Sequence, residues 1–428
     1  MRKLLLSIAM AAPLLAQSSA EVNAGIQFNF ASPGARSLAR GGAFIADASD
    51  ATAAYANPAG LVNLPAPELS LELRASRFTH SYTNRGHAFG PPSNRGMDTI
   101  AGLQRGTSEN RIDNVAFASV VVPFRNFAIA TYRHELANFG VSARTQGAFF
   151  DLYFPEEEAP ANLRHYPAIS AMRLRVTGLG LAAGARVTSR LSVGIGVRRY
   201  DSEIDSITER YRTAGFYGPP DYVTRDNVQT QRGRGSSLGV NAGVLFDATR
   251  RLSIGASYRQ GFGFPVTVTY ADREPRPPKT ARFNVPSFYG LGLSIRPKRD
   301  WSIALDVNHI TYSDLARDFV LLFEEEPRYF VPDGTEIRCG SEVILTRDRF
   351  PRLPFPIAIS AGAWRDPDHS MRVDDPTDSQ SVLFRRASED YHVSFGVGML
   401  FDTRAQVHAA VDRSSRQTVV SISAMARF

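Results

Sequence analysis

Short segments in which apolar and polar side chains alternate recur from Glu68 to the last residue, Phe428. Each is about ten residues long, and a period of two is typical of β-strands whose two faces meet different surroundings. The connections between these segments alternate between short and long ones. The short ones are residues 124–126, 188–190, 247–251, 297–300 and 402–404. This pattern predicts a β-barrel of the bacterial outer membrane, with short turns on the periplasmic side and long loops outside.

Strand direction tests this prediction, because successive strands must run up and down without contradiction. About fourteen strands satisfy it, and single-chain bacterial barrels have even numbers of strands. The weakest is the strand near Ser341, which is required because residues 350–354 must form a periplasmic turn. The predicted strands begin at Glu68, Asn114, Phe127, Ala171, Leu191, Gly235, Leu252, Arg282, Trp301, Ser341, Phe355, Tyr391, Ala405 and Gln417. The sequence therefore predicts an all-β fold, a transmembrane antiparallel barrel of about 14 strands over residues 68–428.

The last predicted strand alternates and ends in an aromatic side chain, Phe428. We expect this end to be the signal that the barrel assembly machinery reads. In lipid, every backbone polar group must be paired within the protein, so a closed sheet is the only strand-based way to span. A closed barrel needs no partner subunit. We therefore expect a monomer surrounded by outer-membrane lipid and lipopolysaccharide.

The start of the chain differs from the rest. Two basic residues precede an apolar run over residues 4–15, and small residues follow up to Ala20. A basic start, an apolar centre and small residues before the cleavage point are typical of a secretory signal peptide. We expect residues 1–20 to be this peptide. After it, no window approaches the roughly 20 apolar residues that a spanning helix needs.

Residues 21–67 break the alternation. They are rich in Ala and Gly, and Asp50 is placed to cap a short helix that ends before Asn57 and Pro58. The segment is too short and too poor in large apolar residues to fold by itself. The nearest surface on which it can pack is the inside of the barrel. We therefore predict an N-terminal hatch, a small helical plug in the lumen.

Two predicted extracellular loops carry clusters of large apolar side chains, one around residues 147–155 and one around residues 216–222. Exposed apolar clusters usually indicate binding, so the two loops could form the walls of a landing site for a hydrophobic molecule. Packing of the loops as a small satellite core or a proline-braced cap is an equally good interpretation. The residues of the predicted site are Phe149, Phe150, Leu152, Tyr153, Phe154, Phe216 and Tyr217.

The formal net charge of +7 does not indicate a nucleic-acid partner, because Lys and Arg are scattered singly and no basic helix appears. We expect the arginines to face lipopolysaccharide or an anionic headgroup of the cargo. A carboxylate headgroup in the lumen would favour a basic partner. Candidates on predicted strands are Arg173, Arg175, Arg186, Arg198 and Arg282. The single cysteine, Cys339, is expected to be a free thiol in a loop.

Motifs for catalysis, a metal or a cofactor are missing from the sequence. Paired glycines such as Gly178 and Gly180 lie mid-strand with no helix after them, which indicates a smooth stripe on one barrel face rather than a nucleotide site. The eight histidines show no metal-ligand spacing, and no nucleophile elbow is present. We expect a protein that is not an enzyme and that uses no cofactor and no metal.

The hatch segment carries the most specific signal. Residues 47–50, Asp-Ala-Ser-Asp, and 57–61, Asn-Pro-Ala-Gly-Leu, resemble the N-terminal hatch of the outer-membrane transporters of long-chain fatty acids and aromatic hydrocarbons. Residues 286–292 and 306–313 resemble the same family more loosely. The resemblance implies a fourteen-stranded barrel plugged by the hatch, with hydrophobic small molecules as cargo.

The hatch also contains positions where a backbone can take unusual dihedral angles or stop a helix. We hypothesise that cargo binding shifts this segment and opens a route to the periplasm or sideways through the barrel wall. A static plug held by the same residues is the alternative. The residues assigned to the hatch and its movement are Gly41, Gly42, Asp47, Asp50, Asn57, Pro58, Ala59 and Gly60.

A second family shares some of these features. Residues 40–43 and 51–57 also look like the same region of the barrels that shuttle cargo proteins in type IX secretion. Two cargo classes therefore remain at this point. The first is a lipid-like small molecule, and the second is an exported protein that the barrel would carry or contact.

Overall fold

The sheet of this chain closes on itself. A computed structural model describes residues 26, 28–153, 159–271, 277–318, 329–373, 388–401 and 404–428. The expected signal peptide, residues 21–25 and Phe154 of the predicted landing site lie outside the described residues. The described residues form a closed antiparallel barrel of fourteen strands, which confirms the predicted fold class.

Each strand pairs with its neighbours in the chain, and the last pairs with the first, from Glu68 opposite Arg427 to Phe78 opposite Gln417. Two strands, β7 and β8, are each interrupted once at the same level. The strands are β1 (Glu68–Ala88), β2 (Gly102–Pro123), β3 (Phe127–Thr145), β4 (Ala168–Arg186), β5 (Leu191–Thr213), β6 (Pro220–Thr249), β7 (Leu252–Arg259 and Phe262–Ala271), β8 (Lys279–Val285 and Phe288–Lys298), β9 (Trp301–Ile310), β10 (Gly334–Leu345), β11 (Ile357–Asp366), β12 (Asp390–Phe401), β13 (Ala405–Arg413) and β14 (Gln417–Arg427).

The two ends of the barrel differ. One end, here the turn end, carries short connections such as residues 124–126 and 187–190. The other, the loop end, carries long ones such as residues 89–101 and 146–167. Short turns face the periplasm and long loops face outwards in barrels of this kind. Small paired strands, Phe149–Leu152 with Ala161–Arg164 and Tyr329–Phe330 with Arg372–Val373, also connect loop segments.

The position of strand β10 shows that the expected loop around Cys339 was wrong. The weak strand near Ser341 exists, but it begins at Gly334, so Cys339 lies within a strand and not in a loop. Alternate residues of β10 point inwards, and three of them, Glu336, Arg338 and Glu342, are charged and buried. A strand whose lumen-facing side chains are charged has the composition of a polar loop. The sequence pattern was therefore misleading at this position.

The outer and inner faces of the barrel wall follow the alternation. Side chains such as Leu181 and Ile195 are exposed on the outer face, where a bilayer would cover them, while their neighbours along each strand are buried in the lumen. The inner face is polar near the turn end and apolar towards the loop end. This division of the lumen decides where an apolar molecule could lie.

The N-terminal segment, residues 28–67, fills the polar half of the lumen. It contains helix α1 (Ala35–Ala39), helix α2 (Ala53–Ala56) and a 3-10 helix, Pro58–Asn63. The side chain of Asp50 accepts a hydrogen bond from the backbone N–H of Thr52, just before α2. No helix among the described residues is long and apolar enough to cross a membrane.

Glycines on the inner face give this segment its space. A Cβ atom at Gly194 would lie 2.3 Å from the carbonyl carbon of Pro58, and one at Gly362 would lie 2.2 Å from the backbone nitrogen of Gly41. Gly184 likewise faces Pro58. The paired glycines of the sequence therefore mark the lumen face, where the backbone of the N-terminal segment lies directly against the wall.

Candidate functional site

An apolar cluster fills the barrel interior towards the loop end. Its members come from β3, β4, β5, β7, β8 and the end of β9, together with the N-terminal segment and loop-end residues such as Tyr312. Buried side chains of this cluster include Phe30, Phe139, Met172, Leu174, Val176, Ile204, Phe264, Val266, Val268, Phe283 and Val285. Water-filled barrels have polar interiors. Towards the loop end, this lumen is instead lined with hydrocarbon.

The N-terminal segment forms the floor beneath this cluster and is held by buried charges. Arg40 donates to Asp47 over 2.6 Å, and Arg36 pairs with Glu342 of β10 over 2.7 Å. The carboxylate of Asp306 on β9 accepts hydrogen bonds from two backbone N–H groups of the segment. Because hydrogen bonds to charged groups are the stronger ones, the contacts with Glu342 and Asp306 fix the floor to the wall, while the Arg40–Asp47 pair braces the floor itself.

Asp47 lies at the centre of these contacts. Burial alone would raise the pKa of its carboxyl, but the guanidinium groups of Arg40, Arg36 and Arg296 outweigh burial and hold the pKa of Asp47 well below its usual range. Asp47 is therefore charged wherever the protein works. The hatch residues named from sequence that surround it, such as Gly41 and Gly42, are likewise buried inside the barrel.

A cavity of about 100 Å³ lies between the floor and the wall. Apolar side chains such as Phe28, Phe30 and Leu136 line it, and Arg74 and Glu135 add polar groups. Pockets that bury whole ligands usually measure about 300–1,000 Å³. The cavity is thus too small for a long-chain molecule unless the floor moves.

The wall beside this cavity is incomplete. Strands β2 and β3 pair only from Phe117 opposite His134 to Pro123 opposite Ala128. Towards the loop end, β2 continues to pair with β1 and β3 with β4, but not with each other. The edges facing each other there are joined by side chains. We call this interruption the β2–β3 gap.

Two asparagines of β2 reach across the gap. The side-chain amide of Asn110 donates to the carbonyl oxygen of Gly140 over 2.7 Å, and that of Asn114 donates to Glu135. Such contacts can break without disturbing the backbone ladder on either side. Over this part of the wall, the two strand edges are therefore held by side chains and not by a backbone ladder.

A β-bulge in β3 connects the gap with the floor. Residues 134–137 are all buried, because the pairing with β4 slips between Glu135 and Ala137. The carbonyl oxygen of Leu136, inside the bulge, accepts a hydrogen bond of 2.7 Å from the backbone N–H of Asn29. A displacement of the N-terminal segment would therefore release the bulge at the edge of the gap.

The predicted landing-site residues of the two loops meet each other. The ring of Phe149 lies 5.7 Å from that of Tyr217 and 5.9 Å from that of Phe216. Phe149 and Phe150 are buried, Leu152 is partly buried, and Tyr153 is 71% exposed. The loops thus form a compact aromatic cap with exposed margins. Its role in binding stays a prediction.

Arg164 holds this aromatic cap together. Its guanidinium lies over the ring of Phe149, 4.7 Å from the centroid, and donates to the carbonyl oxygens of Phe216 and Gly218. Burial lowers the pKa of Arg164 to about 10, so the side chain is still charged at neutral pH. One cation therefore joins both loops.

The other predicted residues lie as follows. Asn57 accepts from the backbone N–H of Ala59 and donates to the carbonyl oxygens of Ile45 and Val244, which ties α2 to β6. Pro58 and Gly60 are buried beside it. Phe428 is 79% exposed at the turn end, and its backbone N–H donates to Pro67. Its role in assembly stays a prediction.

The five arginine candidates separate by face. Arg173, Arg175 and Arg282 are exposed on the outer face, and Arg186 is exposed near the turn end, where it donates to Val62. Only Arg198 is buried in the lumen among these five.

Sequence reasoning missed the β2–β3 gap and a second lumen arginine, Arg259. Alternation along β7, in which Ser253 and Ser257 also point inwards, was the available signal for Arg259. Among the described residues, no group of His, Cys, Asp and Glu side chains is placed to hold a metal ion.

Residues 14–322 match the family model described as outer membrane protein transport protein (OMPP1/FadL/TodX). This match covers well over half of the chain. The chain belongs to the OMPP1/FadL/TodX family. It is accordingly an outer-membrane protein, and its family transports hydrophobic compounds. Members of the family are transport channels and not enzymes.

Solved structures share the fold at low sequence identity. A FadL homologue of Pseudomonas aeruginosa matches with a TM-score of 0.61 and 14% identity, covering 94% of this chain and 99% of that one. The Ralstonia pickettii toluene transporter TbuX matches with a TM-score of 0.59 and 14% identity, with the same coverage. The Pseudomonas putida toluene transporter TodX matches with 0.59 and 15%, again over 94% and 99%. Among curated protein sequences, none matches significantly.

Proposed function

We propose that this protein carries long-chain fatty acids or related hydrocarbons across the outer membrane. One observation supports this most directly, the apolar cluster that lines the lumen from the floor towards the loop end. A polar solute would lose its hydration there, whereas an apolar molecule exchanges water for hydrocarbon at a gain of roughly 25 cal/mol per Å² of buried surface. The cluster therefore favours apolar cargo over sugars or ions.

The contacts suggest a route in three steps. Cargo first meets the aromatic cap of Phe149, Phe216 and Tyr217 at the loop end. It then enters the apolar cluster and reaches the cavity beside Phe28, where the floor must yield because the cavity is small. Finally it leaves sideways through the β2–β3 gap or continues past the displaced hatch to the periplasm.

Movement of the hatch is the central step of this proposal. The hydrogen bond from Asn29 to Leu136 joins the hatch to the bulge at the gap, so the two would move together. The positive φ angles of Gly41 and Gly42, 65° and 79°, place a turn that favours glycine just after α1. Part of the segment before this turn would move while α2 stays in place.

The remaining partners follow from the same architecture. We propose a monomer, because the wall is closed by the chain's own strands. Outer-membrane lipid and lipopolysaccharide would cover its outer face, and the assembly machinery would read the strand that ends in Phe428. The alternative of a protein-cargo shuttle receives no support from the comparisons.

An uptake assay tests the proposal. Cells that lack their own transporter would receive this chain and be given a labelled long-chain fatty acid, labelled toluene, or a labelled disaccharide. We expect faster uptake of at least one of the two apolar compounds than in cells with an empty vector, and unchanged entry of the disaccharide. Entry of the disaccharide alone would show a polar pore and refute the proposal, as would unchanged uptake of all three.

A further inference from the structure

A cleft of about 380 Å³ lies on the outer side of the wall at the β2–β3 gap. It is lined by residues of β2, β3 and β4. Ile112 of β2 and Asn138 of β3 line both this cleft and the inner cavity, so the two spaces lie on opposite sides of the gap. Gly140 of β3 also lines the cleft and has no side chain to fill it. We call this depression the outer cleft.

Two arginines of β4, Arg173 and Arg175, form one side of the outer cleft. Both side chains are exposed on the outer face. Because the two residues are two positions apart on one strand, their Cα atoms lie about 7 Å from each other. Within the described ranges, no carboxylate oxygen lies within 4.0 Å of either guanidinium group. Their N–H donors are therefore available to a group from outside the protein.

The neighbouring strands show how the chain pairs other arginines of the outer face. Arg232 and Arg234 of β6 are also exposed, and they pair with Asp205 and Glu203 of β5. The same two carboxylates lie opposite the β4 arginines in the β4–β5 ladder. The acidic side chains of β5 therefore serve β6 and leave the β4 arginines for another anion.

The height of the outer cleft on the wall indicates what surrounds it. From Arg175 towards the turn end, the next outward side chains of β4 are Thr177, Leu179 and Leu181, and the two leucines are 61% and 63% exposed. Leu179 is four residues from Arg175, which is about 13 Å along the strand and about 10 Å in height at the usual tilt of barrel strands. The β4 arginines therefore lie just outside the apolar band, at the level of lipid headgroups.

The loop end faces outwards, so the lipid at this level is that of the outer leaflet. In the bacterial outer membrane this lipid is lipopolysaccharide, whose lipid A anchor carries phosphate groups directly above several acyl chains. Guanidinium groups bind phosphate oxygens through paired, charge-assisted hydrogen bonds. A phosphate held by the β4 arginines would place the acyl chains of the same molecule along Leu179 and Leu181.

The opposite side of the outer cleft, on β2, carries mixed charges. Arg111 pairs with Asp113 over 3.1 Å, and Glu109 lies next along the same face of the strand. A carboxylate can lie beside a phosphate where a divalent cation joins them, because Mg²⁺ takes oxygen ligands from both groups. This side of the cleft therefore fits a phosphate that is accompanied by Mg²⁺.

We propose that the outer cleft binds a phosphate group of lipopolysaccharide through Arg173 and Arg175. The acyl chains of the bound molecule lie against the apolar band of β4, and its headgroup covers the β2–β3 gap from outside. This inference goes beyond the proposed function, because it concerns a lipid of the surrounding leaflet and not the cargo. It depends on the outer-membrane location and on the loop end facing outwards.

Binding of two matched lipids tests the inference. The purified full-length barrel in detergent, with Mg²⁺ in the buffer, would be titrated with lipid A that carries both phosphates and with lipid A from which both have been removed. Native mass spectrometry measures the fraction of protein that holds a lipid at each concentration. We expect the phosphorylated form to bind at least about tenfold more tightly. Arg173→Gln together with Arg175→Gln should remove most of this preference, because the phosphate loses its donors.

Arg232→Gln together with Arg234→Gln is the matched control. It removes the same charge from the same height of the wall, but from arginines that already pair with carboxylates, and should leave the preference unchanged. Heat-modifiable migration in gels checks that both variants fold. If the β4 variant does not fold, hydrogen exchange of the intact protein replaces it. Phosphorylated lipid A should then slow exchange at residues 138–142, beside the gap, more than the phosphate-free lipid does.

Three results would overturn the inference. Equal affinity of the intact protein for both lipids, or equal exchange at residues 138–142 with both, would show that no phosphate is recognised at the cleft. An equal loss of preference in the β4 and β6 variants would show general attraction to a basic surface. Binding of phosphatidylglycerol as tight as that of phosphorylated lipid A would show a site for any lipid phosphate. Uptake of cargo is a separate measurement, so the proposed function stands or falls independently of these results.

Discussion

Three arginines surround Asp47, and this arrangement explains how a mostly small-residue segment stays inside the barrel. Residues 28–67 are rich in Ala and Gly, and their large apolar side chains, such as Phe44 and Leu61, are buried against the wall. Arg40 is fully buried and reaches Asp47 over 2.6 Å, and Arg296 of β8 reaches it from the wall. Paired charges therefore add to the apolar contacts that residues such as Phe44, Tyr55 and Leu61 make with the wall.

Replacing Asp47 by asparagine should loosen the hatch. Breaking a buried ion pair from one side leaves the other charge unpaired, at a cost of about 3–5 kcal/mol. Trypsin can cut after Arg36 and Arg40 only when the segment opens, so we expect cleavage there to accelerate about a hundredfold or more. Asp300→Asn, which removes the partly exposed carboxylate near Arg349, is the control and should change little. Equal cleavage of both variants would contradict this.

The hatch should also keep its protection in mild acid. The pKa of Asp47 is lower in the folded protein than in an unfolded chain, where it is about 3.9. Its stabilisation is therefore complete above about pH 5 and is lost only as the pH falls through the folded-state value. Hydrogen exchange of residues 44–59, corrected for intrinsic rates, should show equal protection at pH 8 and pH 5. A loss of protection near pH 6 would show that another group controls the hatch.

Sequence alone placed Arg198 on a strand, among five candidates, without assigning it to a face of the barrel. The structure places it on the lumen face, since Val197 next to it is exposed on the outer face. Sequence could not show that Arg198 and Arg259, on different strands, both lie over the ring of Tyr55. That juxtaposition depends on how three strands and α2 come together. The ion pairs of the floor are hidden from sequence for the same reason.

At the scale of elements, the strand count was predictable because lipid imposes one apolar face on every spanning strand. The predicted starts of β2 and β6, Asn114 and Gly235, were late, because the strands begin at Gly102 and Pro220. Towards the loop end the outer face leaves the apolar band, and side chains there such as Arg111 and Arg234 are charged. Because both faces of these strands are polar there, the alternation of apolar and polar residues disappears, although the backbone hydrogen bonds between the strands continue.

Closing the β2–β3 gap should block a lateral route. In a Cys339→Ser background, Asn110→Cys and Gly140→Cys place two thiols where an amide now reaches a carbonyl oxygen over 2.7 Å. If cargo leaves through the gap, oxidation should abolish uptake of the fatty acid and reduction should restore it. The matched control, Ile129→Cys with Ala183→Cys, links strands whose backbones are already paired and should not affect uptake. Unchanged uptake with a closed gap would favour exit towards the periplasm.

The inward glycines should be as important for the hatch as its charges. Gly194→Ala puts a Cβ atom 2.3 Å from the backbone of Pro58, which must move, and such overpacking costs about 1–3 kcal/mol. We expect normal barrel folding but faster trypsin cleavage in the hatch. Gly178→Ala is the control, because its nearest neighbour is a movable ring, that of Tyr200, at 3.1 Å. Equal protection of the two variants would mean that the wall adapts to the added methyl group.

At the scale of the whole molecule, wall and plug depend on each other unequally. The wall is closed by its own backbone pairing, from β1 through β14 and back, and none of that ladder uses residues 28–67. The plug contains only short helices and takes its partners from the wall, such as Glu72, Asp306 and Glu342. The barrel should therefore fold without the plug, whereas residues 28–67 should not fold without the barrel.

Deleting residues 21–67 while keeping residues 1–20 should accordingly leave a folded but leaky barrel. Side chains alone fill barrels of eight strands, whereas barrels of sixteen to eighteen strands leave a water channel. A barrel of fourteen strands without a plug should therefore conduct ions. The deletion also removes Phe28, Phe30 and Ile45 from the apolar cluster. We expect ionic conductance in planar bilayers where the full-length protein shows none, together with disaccharide entry and loss of any preference for apolar compounds. A deleted barrel that stays closed to ions would mean that the wall side chains seal the lumen themselves, and the hatch would then have no part in gating.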